Sequence, residues 1–174
     1  MTQIRDGAFE TNSSSMHAII VRHEPDQNRY YGSHGSVWDG ILYIHDNSFQ
    51  RTPFEFLDSW TDKAVYALAS VTYEKDADKK RKEIIEIIKK LHPEVKTVRF
   101  PRDDWKDEAF DYGCIDHQSI GLLNDFLEKK NITLEEFINN PNYVIVIDGD
   151  EYDVLGSILS NGFALKPDTE IFRW

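Results

Sequence analysis

The chain of 174 residues carries 31 acidic against 20 basic side chains, a formal charge of −11, which repels nucleic-acid phosphates and sets that class of partner aside unless a local basic patch overrides the mean. Its single cysteine, Cys114, leaves no internal disulfide, and the opening Met1-Thr2-Gln3-Ile4-Arg5 lacks the apolar stretch of a secretion signal, so a reducing, cytoplasmic setting is expected. Apolar runs such as residues 144–147 fall far short of the ~20 residues that cross a bilayer, so no membrane partner is expected.

Residues 16–22 (MHAIIVR) and 37–44 (VWDGILYI) have the β-branched content and length of strands. Pro25, Asn28, Gly32, Ser33 and Gly35 make a loop of the stretch between them. In residues 61–73, Ala64, Val65, Leu68, Ala69 and Val71 recur at helical spacing, with Ser59 or Thr61 available as the cap. A second helix spans residues 79–91, its face formed by Ile84, Ile85, Ile87, Ile88 and Leu91, and Pro93 stops it. Residues 95–100 alternate as a short strand, and residues 101–112 are acidic, aromatic and irregular.

Asp116 is the expected N-cap of a helix whose apolar face is Ile120, Leu123, Phe126 and Leu127. Thr133 and Glu136 have capping-box spacing for the next helix, Ile132 is placed to staple onto Phe137, and Asn140-Pro141 ends it. Residues 143–147 (YVIVI) are apolar without alternation, as in a central strand buried on both faces. Val154, Leu155, Ile158 and Leu159 then suggest a helix closed by Asn161-Gly162, although Asp148-Gly149 also suits a hairpin turn. Residues 170–174 suit a last edge strand. With no repeat, low-complexity tract or linker, the expectation is a single α+β domain, a mixed central sheet flanked by about four to five helices.

The most unusual local feature is Phe9-Glu10-Thr11-Asn12-Ser13-Ser14-Ser15-Met16-His17, which stacks polar groups directly before an apolar strand. Successive backbone N–H groups and small hydroxyls can cradle an anion, and His17 can exchange a proton beside it. The plain alternative is a turn, where Ser and Asn are ordinary residues, followed by a hydrogen-bonded strand histidine. Asp116-His117-Gln118-Ser119 offers a carboxylate, an imidazole, an amide and a hydroxyl near a helix start, which favours anions; its plain alternative is a cap and an exposed first turn. Candidate catalytic residues are therefore His17, Asp116 and His117, and candidate ligand-binding residues are Glu10, Thr11, Asn12, Ser13, Ser14, Ser15, Gln118 and Ser119.

Asp148, Asp150, Glu151 and Asp153 lack the spacing of a calcium loop. Cys114 with His117 is a lone pair where structural zinc takes four ligands. No Walker loop, dinucleotide fingerprint or nucleophile elbow is present, and neither metal nor cofactor is expected. Asp103, Asp104, Trp105, Asp107 and Glu108 combine charge with an aromatic anchor, a composition suited to a protein interface.

The phrase FETNSSSxH at residues 9–17 resembles the opening of a set of uncharacterised proteins encoded by bacteriophages and prophages of Gram-positive bacteria. GCIDHQS at residues 113–119 and YVIVIDGDEY at residues 143–152 resemble further stretches of that set. The resemblance implies a phage origin and a bacterial cytoplasm, and it implies no mechanism. Two readings stand. One is a phage or mobile-element accessory protein that binds a host or defence factor through the acidic and aromatic surface. The other is a small enzyme or nucleotide- or anion-binding protein whose pocket joins residues 12–15 and His17 to residues 116–119.

Overall fold

A computed structural model describes residues 16–22, 34–49, 54–101, 113–116, 119–148 and 169–173. Its central sheet follows from the two most apolar segments. Strand β1 (Met16–Val21) pairs antiparallel with β8 (Tyr143–Asp148), with His17 opposite Ile147 and Ile19 opposite Ile145. The short β5 (Glu55–Leu57) covers the other edge of β8, and β9 (Glu170–Phe172) covers the other edge of β1, giving the order β5-β8-β1-β9. Strand β8 thus lies inside the sheet, as its unbroken apolar run predicts.

Side-chain alternation divides the buried strand residues into two sets. Ile19, Leu57, Ile145 and Ile147 join the main core with the helices, while Ala18, Ile20, Phe56, Val144 and Val146 form a separate cluster on the opposite face. On the helix side lie α1 (Trp60–Ser70), α2 (Ala77–Leu91), α3 (Leu122–Lys130) and α4 (Leu134–Asn139), four α-helices among the described residues. Ser59 caps α1 by accepting the Asp62 N–H, and Thr133 caps α4 by accepting the Glu136 N–H. Residues 62–69 of α1 are all buried, so this helix is enclosed by α2, α4 and the smaller strands. By contrast α2 buries Arg81, Ile84 and Ile88 and turns its other charges outward.

Two smaller sheets complete the described architecture. Strands β2 (Gly35–Trp38) and β3 (Ile41–Ile44) form a hairpin, β6 (Thr97–Arg99) adds parallel to β3, and β4 (Ser48–Phe49) pairs parallel with β7 (Cys114–Ile115). The mixed pairing expected of the central sheet resides in these small sheets; the central one is antiparallel throughout.

Three local expectations change. Residues 37–44 are two strands: Asp39 and Gly40 take φ of 50° and 74°, and Asp-Gly with both φ positive is a hairpin turn matched to strand twist. Asp116 does not cap α3. Gly121, at φ 92°, occupies the N-cap position, and Asp116 is buried five residues earlier, its carbonyl accepting the Ser119 N–H at 2.8 Å. Ile120, expected on the apolar face, is 39% exposed because the helix begins after it. The expected helix around Val154 to Leu159 and the alternative turn at Asp148-Gly149 lie outside the described residues.

Candidate functional site

The helix-facing surface of the central sheet changes character along its strands. One row is apolar, with Ile19, Ile145 and Leu57 side by side; the next is His17, Ile147 and Glu55. Register partners project to the same face, so His17 and Glu55 flank Ile147 with Cα atoms roughly 10 Å apart, two strand spacings. This row is the polar end of the sheet.

His17 is 1% exposed, and its Nδ1 lies 2.9 Å from the Tyr66 hydroxyl on α1. The Phe49 carbonyl and the Asp116 carboxylate also act on the ring. Burial lowers its pKa to about 4, with Asp116 and the Phe49 carbonyl opposing the shift, so the ring is uncharged at neutral pH. A neutral imidazole that gives its one N–H to a carbonyl accepts on the other nitrogen, and the Tyr66 hydroxyl supplies that proton. Tyr66 is itself wholly buried, which pushes its phenol pKa up.

Asp116 reaches this place through the β4–β7 ladder. Its N–H donates to the Phe49 carbonyl at 3.3 Å, and the Cys114 N–H donates to the Asn47 carbonyl at 3.0 Å. Gly113, just before β7, sits so close to Asn47 that an added Cβ would lie 2.4 Å from the Asn47 oxygen. The close approach that only glycine permits is what lets this short ladder form.

His34 packs against the Phe49 ring, its ring centroid 4.6 Å from that of Phe49. His34 Nδ1 is 2.9 Å from the Asp46 carbonyl and Nε2 is 2.7 Å from Glu55 Oε2. A carbonyl only accepts, so Nδ1 carries a proton, and a carboxylate at Nε2 calls for a second. Burial lowers the pKa of His34, but the hydrogen bond and charge of Glu55, with help from the Asp46 carbonyl and Asp62, outweigh it and leave the value raised. The Asp62 carboxylate accepts the His34 N–H at 2.7 Å and the Ser59 hydroxyl at 2.6 Å. Burial raises the Asp62 pKa against the pull of those bonds.

Of the candidate residues, His17 and Asp116 are both buried and the Asp116 carboxylate acts electrostatically on the His17 ring, while Ser119 is buried three residues on. His117, Gln118, Glu10, Thr11, Asn12, Ser13, Ser14 and Ser15 lie outside the described residues, as do Asp103, Asp104, Trp105, Asp107 and Glu108. Tyr66, His34, Glu55 and Asp62 were not singled out by sequence. Only the loop residues around His34 gave any signal.

Two further buried groups stand apart. Lys63, 1% exposed, donates to the Asn140 carbonyl at 2.7 Å; burial brings its pKa to about 7, with Asp58 opposing and Arg22 assisting. Arg22 and Asp58, the two charges that act on it, are 3.5 Å apart. A groove of about 410 Å³ runs along α2, lined by Lys82, Glu83, Glu86, Ile87 and Lys90, and shares no residue with the polar row.

No family matches this chain, and neither do any curated sequences or solved structures. Among the described residues no helix is long and apolar enough to cross a membrane, and no group of three His, Cys, Asp or Glu is arranged to hold a metal ion.

Proposed function

We propose that the chain binds a small anionic ligand, with acid–base chemistry at hand, at the polar end of the central sheet. The observation that carries this reading is the meeting of His17 and Asp116, 99 positions apart in sequence, on the face where Glu55 and His34 also converge. Two histidines pushed in opposite directions within one layer support it, since divergent environments of that kind mark sites that move protons. In this reading the Asn12 to Ser15 run that leads into β1 supplies hydroxyl and N–H donors to the anion. The resemblance of residues 9–17 to phage proteins favours a role during infection of a bacterial host. Capture of a host factor through Asp103, Asp104, Trp105, Asp107 and Glu108 draws on composition alone, so the pocket is carried forward.

The test is titration calorimetry with inorganic phosphate and adenosine monophosphate. The native chain is expected to bind at least one of them, and Ser13→Ala with Ser14→Ala to weaken binding about tenfold, the loss of one or two charge-assisted hydrogen bonds. Binding by neither probe, or equal binding by the variant, would overturn the reading.

A further inference from the structure

The turn between α4 and β8 is gripped by two residues from outside it. The carbonyl of Asn140, the C-cap of α4, accepts from the Lys63 amine at 2.7 Å and from the Tyr143 N–H at 3.2 Å. The Pro141 carbonyl accepts from Arg22 Nη2 at 3.1 Å, and the Asn142 carbonyl accepts the Arg22 N–H at 2.8 Å. The Asn142 N–H donates to Asn140 Oδ1 at 2.9 Å. Lys63 from α1 and Arg22 from just past β1 thus hold three consecutive carbonyls.

Of these two, Lys63 is the one sealed from solvent. Its Nζ lies 5.7 Å from the centre of the Phe137 ring, and Asn140 is the one hydrogen-bond acceptor it meets among the described residues. An ammonium carries three N–H donors and loses its hydration on burial, so one carbonyl and one ring leave it under-compensated, whereas a neutral amine loses far less. Arg22 adds a like charge and Asp58 an opposite one. Other ionisable groups on the surrounding elements turn elsewhere: Asp62 to His34 and Ser59, Glu135 of α4 to Lys90, and His92 at the end of α2 to Glu94 and Asn139. Tyr143 stacks on Phe137. Burial accordingly brings the lysine from 10.5 to about 7, with Asp58 opposing and Arg22 assisting. The closed turn also leaves Arg22 Nε and Asn142 Oδ1 buried without a hydrogen-bond partner among the described residues, so opening gives both of them bonds to water.

We infer that Lys63 is a proton-controlled latch on the α4–β8 turn: the neutral amine keeps the turn closed against α1, and uptake of a proton favours the form in which the turn lifts and the amine reaches water. In that open form the amine has the ordinary lysine affinity for protons, so between 10.5 and about 7 the open form binds the proton and the closed form does not. Each unit of falling pH in the window raises the open population about tenfold, and the rise stops once the closed form is protonated too. The latch needs no ligand and acts where the β1–β8 ladder ends.

Hydrogen exchange of the Arg22 and Asn142 amides, corrected for the intrinsic rate, reads the opening directly, since both amides bond within the gripped turn. From pH 9 to pH 7 their protection in the native chain is expected to fall about 100-fold while staying below that of Val144 to Ile147, the mark of a local opening. Lys63→Met keeps a stem of similar length and leaves the Asn140 carbonyl its bond from Tyr143, and its protection is expected to stay flat over the same range. Constant protection in the native chain, an equal fall in Lys63→Met, or protection matching that of β8 would overturn the latch. In the native chain alone, the Lys63 Cε resonance is expected to titrate near pH 7, and titration in the ordinary lysine range would overturn it as well.

Discussion

His17 and His34 both contact Phe49, one through its carbonyl and one through its ring, and respond to pH in opposite senses. For His17 the folded value is lowered to about 4 from 6.5, so between those limits the unfolded chain binds the proton and the folded chain does not. Stability therefore rises with pH across that window and is lost as pH falls through it. The shift corresponds to roughly 3 kcal/mol. Urea denaturation of the native chain and of His17→Gln, repeated from pH 7 to pH 4, should show the native chain losing that much more stability than the variant; parallel curves would refute a buried neutral His17. For His34 the folded value is raised, so its pairing with Glu55 contributes fully below the ordinary histidine range and fades as pH climbs through the folded value.

At the scale of elements, the smallest ladder does much of the positioning. Two residues of β4 and two of β7 place Asp116 beside His17, and Gly113 makes room for them with φ 89° and no side chain. Gly113→Ala would drive a Cβ against the Asn47 carbonyl in a conformation that L residues avoid, at an expected cost of about 2–4 kcal/mol. Chemical denaturation checks this, and a loss below about 0.5 kcal/mol, the range of an ordinary surface change, would refute the close approach.

The same contrast explains what was legible in sequence. β1, β8, α2 and the Thr133 cap announce themselves because β-branched content, unbroken apolar runs, helical periodicity and capping are local signals. The Asp39-Gly40 turn was equally local but lay within an apolar run that read as one strand. Asp116 looked like a cap because aspartate favours that position, yet the left-handed Gly121 starts α3, and the carboxylate is drawn inward beside a histidine instead. His34, Glu55 and Tyr66 carry no linear signature, since their placement depends on the register of β5 against β8 and on α1 bringing Tyr66 to His17.

For the whole molecule, the main organiser is β8, paired on both edges and buried on both faces from Val144 to Ile147. Native-state hydrogen exchange should find its amides and those of β1 opening only with global unfolding, while β6, an edge of the hairpin sheet, exchanges through local opening. Equal protection in β6 and β8 would contradict this hierarchy.

The β1–β8 pairing also sets an order of events during synthesis. β1 leaves the ribosome first, whereas β8, and with it the partner for Ile19 and Ile20, is made more than 120 residues later. Until then the segment MHAIIV is an unpaired apolar edge, the kind of surface that chaperones hold and that aggregates when a chain stalls. Nascent chains halted before Tyr143 therefore lack the strand that pairs with β1 and sets Ile147 between His17 and Glu55.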